Sequence, residues 1–222
     1  MSKEYLNSLK KRKDYNKENQ LYLKKRVFLT FHNLAQTFYK KDIMQFKNML
    51  DLGTADGALV EISKKYGLNS VGIDANDMNF ENDKFNFRDN QFDLVTAVSL
   101  IEHINNPKIL LNETRRILND NGIFILVTPD WEHSYKNFYD DPTHVRPYTR
   151  KSISSLLKSF KFRDVLVVPW LVCKPQWMWK IPFSFFLARN IPFIGNKNLI
   201  TRKFIPNFLK GKSETLLIIC KK

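Results

Sequence analysis

Cysteine is scarce in this chain, which has only Cys173 and Cys220 among its 222 residues. Two cysteines cannot form the multi-bridge framework that holds small secreted scaffolds together. The first residues are charged where a secretory signal peptide requires an apolar run, so we expect a cytoplasmic protein. The sequence also has no internal repeat and no low-complexity tract. Its length and its 43% of hydrophobic residues indicate one globular domain with decorations.

Acidic residues are few relative to basic ones, 22 against 36, which gives a net charge of +14. The excess lies at the ends, because residues 1–50 carry 12 Lys and Arg against 4 acids and residues 201–222 carry 6 against 1. Basic ends of this kind suit an acidic partner, such as anionic lipid, a phosphate-bearing substrate or RNA. Solvated ends of a lysine-rich chain are the alternative that requires no partner.

The chain lacks an uncharged run of about 20 residues in its most aromatic stretch, at about 170–210, so this stretch cannot form a transmembrane helix. Four prolines interrupt its large aromatic residues, which are Trp170, Trp177, Trp179, Phe183, Phe185, Phe186, Phe193 and Phe204. An aromatic and basic mixture suits the membrane interface, and equally a lid over the substrate or a contact between subunits. We predict an insertion here and leave these three roles open.

The most informative segment runs from Asn48 to Gly57, where an apolar strand passes into a turn of small residues. The residues after Gly57 follow helical spacing, and residues 70–74 then predict a second strand that ends in an acid. Glycines at 53 and 57 let a ligand approach the backbone closely, and Asp74 lies where βαβ folds bind a ribose diol. The pattern predicts a nucleotide-cofactor site.

The charges of this turn distinguish between cofactors. Asp51 and Asp56 flank it, so the pyrophosphate of a dinucleotide would meet like charge, whereas a ligand with an ammonium and a sulfonium would be attracted. S-adenosylmethionine (SAM) is such a ligand. The segment resembles the first motif of class I SAM-dependent methyltransferases, an acid and an apolar residue before Gly-x-Gly-x-Gly. Ala55 stands at the middle glycine and adds a methyl group to a turn that favours positive φ.

This resemblance implies a set of cofactor-binding residues, namely Asp51, Gly53, Thr54, Ala55, Gly57, Asp74 and Ala97. Within the set, it implies an indirect contact of Asp51 with the methionine end of SAM and hydrogen bonds of the ribose hydroxyls to Asp74. Gly53, Thr54 and Gly57 would contribute backbone groups.

Later segments follow the order of the same family. Residues 92–100 predict a buried parallel strand, and the Glu102-His103 pair after it is similar to the "EH" signature of small-molecule methyltransferases. A turn at 119–122 and a strand at 123–128 come next. The segment Asp141 to Thr149 resembles a "D-x-x-H-v-r-x-y-t" segment of the family. Two final strands are predicted at 165–168 and 215–220.

The resemblance spans residues 48–169 and the last strand. It implies an α/β fold, a Rossmann-like seven-stranded, mostly parallel sheet with helices on both faces and an antiparallel final strand. We expect a basic helical extension over residues 1–47 and a SAM-dependent methyltransferase domain over 48–222. Only residues 75–92 separate the second and fourth strands, which is short for a full helix and a third strand, so we expect an atypical adenine pocket.

Methyl transfer from SAM is an in-line displacement in which positioning supplies much of the catalysis. An oxygen acceptor must also lose a proton, and histidine is a natural general base near neutral pH. His103 follows a strand whose carboxyl end faces the cofactor, and His144 lies in a loop that reaches the same edge, so both are candidate catalytic residues. Helix capping by Glu102-His103 and loop ordering by His144 are the alternatives. His133 is a third candidate, and His32 is expected to pack.

Rival functions are an RNA methyltransferase and a non-catalytic SAM-fold binding protein. Base-flipping amino methyltransferases carry Asn/Asp-Pro-Pro-aromatic where this chain has residues 99–102, and no tyrosine precedes a lysine by four residues as in short-chain dehydrogenases. No cysteine–histidine cluster has metal-ligand spacing, so we expect no metal. The segments look most like ubiquinone-biosynthesis O-methyltransferases and enzymes that modify surface sugars. We therefore expect a small-molecule, glycan or lipid-linked acceptor, methylated at oxygen, and an enzyme that could associate with the inner membrane face.

Overall fold

The computed structural model of the chain describes residues 16–170, Ile181 and 214–222. Its first helix, α1 (Lys17–Tyr39), begins at Asn16, whose side chain accepts hydrogen bonds from two N–H groups of the first turn. The helix ends at Lys40, which has a left-handed conformation. One face of α1 is buried because its core residues are three or four positions apart: Phe28, Phe31, Leu34 and Ala35.

One sheet forms the centre of the molecule. Its strands are β1 (Asn48–Leu52), β2 (Asn69–Ile73), β3 (Phe92–Val98), β4 (Leu118–Pro129), β5 (Arg163–Pro169) and β6 (Thr215–Lys221). Their spatial order is β2-β1-β3-β4-β6-β5. Neighbours among β1 to β4 are parallel, whereas β6 is antiparallel to both β4 and β5. The predicted α/β, Rossmann-like, mostly parallel sheet with an antiparallel last strand is therefore confirmed. The ends of β1 to β4 meet at one side, the carboxyl edge.

Helices cover both faces of the sheet, as predicted. Besides α1, the described α-helices are α2 (Ala58–Lys65), α3 (Lys108–Ile117), the short α4 (Trp131–Ser134) and α5 (Arg150–Ser159). On one face, α1 and α2 pack with the β1 and β3 side chains Met49 and Leu94. On the other, α3 and α5 pack with Leu50, Val95 and Phe124. Two apolar layers thus fix the sheet from both sides and leave its carboxyl edge available for polar groups.

The described residues form six strands, not the seven expected. Between β2 and β3 the chain makes turns: the N–H groups of Asp77 and Met78 both donate to the carbonyl of Asp74, and Arg116 of α3 donates to the carbonyls of Phe85 and Phe87. This stretch is too short for a crossover helix of about a dozen residues followed by a strand. As a result, β2 is an edge strand of the described sheet.

A second correction concerns residues 119–122, which the sequence predicts as a turn before the next strand. They lie inside β4, whose pairing with β3 shifts register. Phe92 pairs with Leu118 and Leu94 pairs with Ile123, so the extra β4 residues form a bulge. Turn-prone residues are accommodated at such a bulge without ending the strand.

The predicted insertion at about 170–210 lies outside the described residues except for Trp170 and Ile181. The backbone N–H of Trp170 donates to the carbonyl of Thr215 over 2.9 Å, so the two ends of this segment adjoin at the carboxyl edge. The predicted division between residues 1–47 and 48–222 stays a prediction, and α1 packs in the same core as β1. None of the described helices is long and apolar enough to cross a bilayer.

Candidate functional site

The turn between β1 and α2, the cofactor loop (residues 53–57), has three left-handed residues. Gly53, Ala55 and Gly57 have φ values of 72°, 52° and 73°. The N–H groups of Gly53 and Thr54 both donate to the carbonyl of Ile73, at 2.9 and 3.2 Å, which fixes the loop against the end of β2. Ala55 therefore occupies the conformation that favours glycine, at a cost of about 1–2 kcal/mol.

A close contact that sequence reasoning missed holds the loop against β2. A Cβ placed on Gly72 would lie 2.6 Å from the Thr54 hydroxyl oxygen and 2.7 Å from its Cβ. The Thr54 side chain therefore lies directly on the backbone of Gly72. The only signal in the sequence is a glycine inside a predicted strand, which indicates close approach but not the partner.

Asp74, at the end of β2, is tied to the loop by its carboxylate. Its Oδ2 accepts a hydrogen bond from the N–H of Ala55 over 2.7 Å, and its Oδ1 accepts one from the N–H of Ala75 over 2.6 Å. The side chain of Asp77 in turn accepts from the N–H of Asp74. Each carboxylate oxygen has a second lone pair, so Asp74 can still accept from ligand hydroxyls.

Asp51 faces the α1 and α2 side of β1 and is nearly fully buried. Burial raises the pKa of its carboxyl from 3.8 to about 6, although the hydrogen bond from the Thr96 hydroxyl at 2.7 Å opposes this. A buried carboxylate of this kind is stabilised by a cationic ligand. Asp56 has a different task, because it accepts a hydrogen bond from the N–H of Ala58 at the start of α2. Ala97 is fully buried in the apolar cluster of the opposite face, and its contact with the cofactor stays a prediction.

The carboxyl end of β3 adjoins this loop. A Cβ on Gly53 would lie 3.2 Å from a side-chain carbon of Leu100, so the backbone of the loop approaches the segment that leads into Glu102 and His103. Glu102 is fully buried, and burial raises its pKa to about 7. Its carboxylate accepts from the Thr128 hydroxyl at 3.1 Å. Cofactor loop and histidine segment thus share the carboxyl edge.

The two predicted catalytic histidines lie together. The ring centroids of His103 and His144 are 4.8 Å apart, and the His144 ring also packs on Phe138 at 4.6 Å. Nδ1 of His103 is 3.0 Å from the carbonyl oxygen of Thr143, and Nδ1 of His144 is 2.6 Å from the carbonyl oxygen of Phe138. Burial lowers the pKa of His103, which favours the neutral ring.

The other two histidines each pair with an aspartate. His133 Nδ1 is 3.0 Å from Oδ2 of buried Asp130, directly after β4. His32 Nδ1 is 3.3 Å from Asp42 Oδ1, and its side chain is largely buried on α1. His32 therefore lies on a helix that covers the sheet, in keeping with the expected packing role, whereas His133 belongs to the carboxyl edge.

Two clusters bring potential metal-ligating atoms within 4.8 Å of one another. They are Glu102 with His103 and His144, and Asp130 with Glu132 and His133. Neither cluster contains cysteine, so cysteine–histidine spacing along the chain does not reveal them. In both clusters the Nδ1 atoms already face protein oxygens, so a cation would require the Nε2 atoms. The expectation of no metal stays a prediction.

Comparison with known proteins gives consistent matches. A family model described as a methyltransferase domain matches residues 20–167. The ubiquinone biosynthesis O-methyltransferase of Pelagibacter ubique is 29% identical over 98 residues, which cover 36% of this chain and 41% of that protein. The match thus spans about two fifths of the length of this curated relative.

Solved structures with the same fold include a SAM-dependent methyltransferase from Archaeoglobus fulgidus, with a TM-score of 0.56, 21% identity, and coverage of 86% of this chain and 92% of that one. A phosphoethanolamine N-methyltransferase 2 of Haemonchus contortus, in complex with phosphomonomethylethanolamine and S-adenosylhomocysteine, has a TM-score of 0.53 at 18% identity. That match covers 86% of this chain and 52% of the other. At these identities the two structures show the fold alone.

Proposed function

Because this chain belongs to the family of SAM-dependent methyltransferase domains, we propose that it transfers the methyl group of SAM to an oxygen atom of a small-molecule, glycan or lipid-linked acceptor. The observation that carries the choice of oxygen is His103, which follows β3 at the same edge as the cofactor loop and whose pKa is lowered by burial. An oxygen acceptor has a proton to lose, and a neutral imidazole can take it.

The cofactor of the family is SAM, and the residues of the loop fit it. When bound, SAM supplies a methyl group on a positively charged sulfur that is an excellent leaving group. Asp51 offers a buried negative charge toward the methionine end, and Asp74 offers free lone pairs for the ribose hydroxyls. The remaining proposed cofactor contacts are the backbone groups of the loop and the side chain of Ala97. The loop residues are Gly53, Thr54, Ala55 and Gly57.

His103 and His144 are the proposed catalytic residues. His103 would accept the proton of the acceptor, since its Nδ1 already faces Thr143 and only Nε2 is left for this task. His144 packs against the His103 ring and would hold it in place. Of the remaining histidines, His133 is the reserve candidate for the base, because its partner Asp130 is buried at the end of β4.

The class of acceptor is supported by two observations. The relative from Pelagibacter ubique is named as an O-methyltransferase of ubiquinone biosynthesis, which favours transfer to an oxygen atom. The basic ends of the chain suit an anionic surface or a phosphate-bearing acceptor. We therefore propose a cytoplasmic enzyme that can associate peripherally with the inner membrane face.

Calorimetric titration with S-adenosylhomocysteine, with NAD as the control ligand, tests the cofactor site. Micromolar binding of the former alone is expected. Incubation with methyl-tritiated SAM then tests the acceptor on a catechol, a methyl glycoside, phosphoethanolamine and total tRNA. Label on the catechol or the glycoside supports the proposal, and label on phosphoethanolamine contradicts transfer to oxygen. Salt-sensitive labelling of tRNA would instead favour an RNA methyltransferase, and binding without any transfer would favour a non-catalytic protein.

A further inference from the structure

Residues 141–146, the docking segment, lie directly on Glu102 and His103. The N–H groups of Val145 and Arg146 both donate to the carbonyl oxygen of Glu102, at 2.9 and 3.0 Å. Thr143 meets the His103 ring with two atoms: its carbonyl oxygen is 3.0 Å and its hydroxyl oxygen 2.9 Å from Nδ1. The backbone of one segment therefore fixes the histidine of the other.

These contacts determine which ring nitrogen of His103 carries the proton. A carbonyl oxygen only accepts hydrogen bonds, so an Nδ1 held 3.0 Å from the Thr143 carbonyl has to be the donor. The Thr143 hydroxyl in turn donates to Oδ1 of Asp141 over 2.6 Å, which leaves its oxygen lone pairs facing Nδ1. In the neutral ring, the lone pair is then on Nε2.

We propose that Asp141 and Thr143 are positioning residues, which hold His103 in the Nδ1–H form through a chain of hydrogen bonds from Nδ1 to the Thr143 hydroxyl and on to the Asp141 carboxylate. This inference rests on the oxygen acceptor proposed above. The proposed route differs from a direct aspartate–histidine contact, because the Thr143 hydroxyl lies between the His103 ring and the Asp141 carboxylate.

The chain of hydrogen bonds serves the proton transfer. His103 Nε2 takes the O–H proton while the acceptor oxygen forms its bond to the methyl carbon, and the electron pair of the broken carbon–sulfur bond stays on sulfur. The imidazolium formed on His103 is partly buried, and the negative charge of Asp141 offsets its positive charge through Thr143. The proton then leaves to solvent.

His133 provides an internal comparison. Its Nδ1 faces the Asp130 carboxylate directly, so its proton position does not depend on Thr143. His144 Nδ1 is 2.6 Å from the neutral carbonyl oxygen of Phe138. Of the two neighbouring rings, His103 is the one whose Nδ1 lies against the Thr143 hydroxyl that donates to Asp141.

The test compares Thr143→Val, which removes the hydroxyl, with Thr143→Ser, which keeps it. Nitrogen NMR of histidine-labelled protein, bound to S-adenosylhomocysteine, reports which ring nitrogen carries the proton. We expect Nδ1–H for His103 in the parent and in Thr143→Ser. In Thr143→Val and Asp141→Asn the Nδ1–H fraction should fall without vanishing, because the Thr143 carbonyl still accepts from Nδ1. The His133 signals should stay unchanged in all of them. A Thr149→Val and Thr149→Ser pair, at the cap of α5, controls for loss of stability.

The activity readout uses the acceptor identified with tritiated SAM. Thr143→Val should lower kcat by about 10-fold or more at unchanged KM for SAM, within the range of general base catalysis, and Thr143→Ser should restore it. The Nε2–H form in the parent, or equal NMR and kinetic results for Val and Ser, would overturn the inference. If the protein binds S-adenosylhomocysteine but methylates nothing, the proposed function fails, whereas the NMR contrast still decides the positioning role.

Discussion

Two buried carboxylates at the cofactor loop have different partners, and their partners assign them different tasks. Asp74 binds the N–H groups of Ala55 and Ala75, so it is part of the loop itself. Asp51 accepts a hydrogen bond from the Thr96 hydroxyl, and burial raises the pKa of its carboxyl to about 6. The first therefore fixes the loop, whereas the second carries a carboxyl group whose ionisation is disfavoured by burial.

Asp51→Asn is expected to stabilise the ligand-free protein at pH 7.5. The folded pKa of about 6 exceeds the ordinary 3.8, so ionisation of Asp51 costs folding free energy as the pH rises through this window. The cost is on the order of 1–3 kcal/mol. For a domain of this size, each kcal/mol corresponds to roughly 2–4 °C in Tm. Melting curves between pH 4 and 8 should show a higher Tm for Asp51→Asn than for the parent protein, and this difference should vanish near pH 4. The same variant should bind SAM more weakly, and a constant Tm difference across this range would contradict the argument.

Asp74→Ala is expected to weaken SAM binding by about 10-fold or more, since a hydrogen bond to a charged group contributes about 1.5–3 kcal/mol. Calorimetry measures the effect, and Asp74→Asn, which keeps one acceptor oxygen, should lose less. Because Asp74 also holds Ala55, melting of the ligand-free variants separates loop damage from lost ligand contacts. Unchanged affinity would show that the ribose assignment is wrong.

At the scale of elements, the cofactor loop depends on β2 through the contact of Thr54 with Gly72. Gly72→Ala would place a Cβ 2.6 Å from the Thr54 hydroxyl oxygen, so the loop has to move. We expect a loss of about 1–3 kcal/mol in stability and weaker binding of S-adenosylhomocysteine. A double-mutant cycle with Thr54→Gly measures the coupling by thermal melting and calorimetry. Strictly additive effects would mean that the two residues do not hold the loop together.

The sequence predicted the elements of the site better than their side-chain pairings. The strand, turn and helix around Gly53 and Gly57 follow from periodicity and glycine spacing, and the structure has them at the expected places. The spacing D-x-x-H occurs at both Asp130 and Asp141, and at the first of them the Asp130 carboxylate lies 3.0 Å from Nδ1 of His133. Asp130 precedes the helical turn α4, which brings the fourth residue of the motif over the first. Asp141 lies in a turn and accepts from the N–H and the hydroxyl of Thr143, a pairing that the spacing does not reveal.

Other features depend on contacts between distant segments and could not be read from local patterns. Ala55 has a positive φ, and its N–H donates to Asp74, which directly follows the next strand. The bulge at 119–122 follows from the pairing of β4 with β3, which a turn-prone sequence conceals. Length, in contrast, was a reliable guide, because the short segment after β2 has no room for a helix and a third strand.

At the scale of the whole molecule, several of the described basic side chains line a groove on the side of the sheet where β6 ends. A groove of about 570 Å³ runs between α3 and the ends of α5 and β6, and its basic residues are Lys108, Arg115, Arg116, Lys161 and Lys222. Arg116 is neutralised by Glu113 and Asp89, at 2.7 and 2.6 Å. Lys108 and Arg115 lie seven positions apart, on the same face of α3, and so project into the groove together. Anion binding here would leave the carboxyl edge free for SAM and its acceptor.

The groove should therefore contribute to binding of anionic membranes. A Lys108→Gln, Arg115→Gln double variant removes two positive charges, each worth about 1 kcal/mol at an anionic surface, so the partition coefficient on phosphatidylglycerol vesicles should fall by roughly 30-fold at low salt. Flotation with phosphatidylglycerol vesicles, compared with phosphatidylcholine vesicles, measures this partition coefficient. The matched control is the Lys64→Gln, Lys65→Gln double variant at the end of α2. Added inorganic phosphate, at constant ionic strength, distinguishes a specific headgroup site from general attraction to a charged surface. Low phosphate concentrations should reduce vesicle binding only if the groove holds a specific headgroup site. Equal partitioning of both double variants would place any membrane contact elsewhere in the chain and would leave the groove a solvated face.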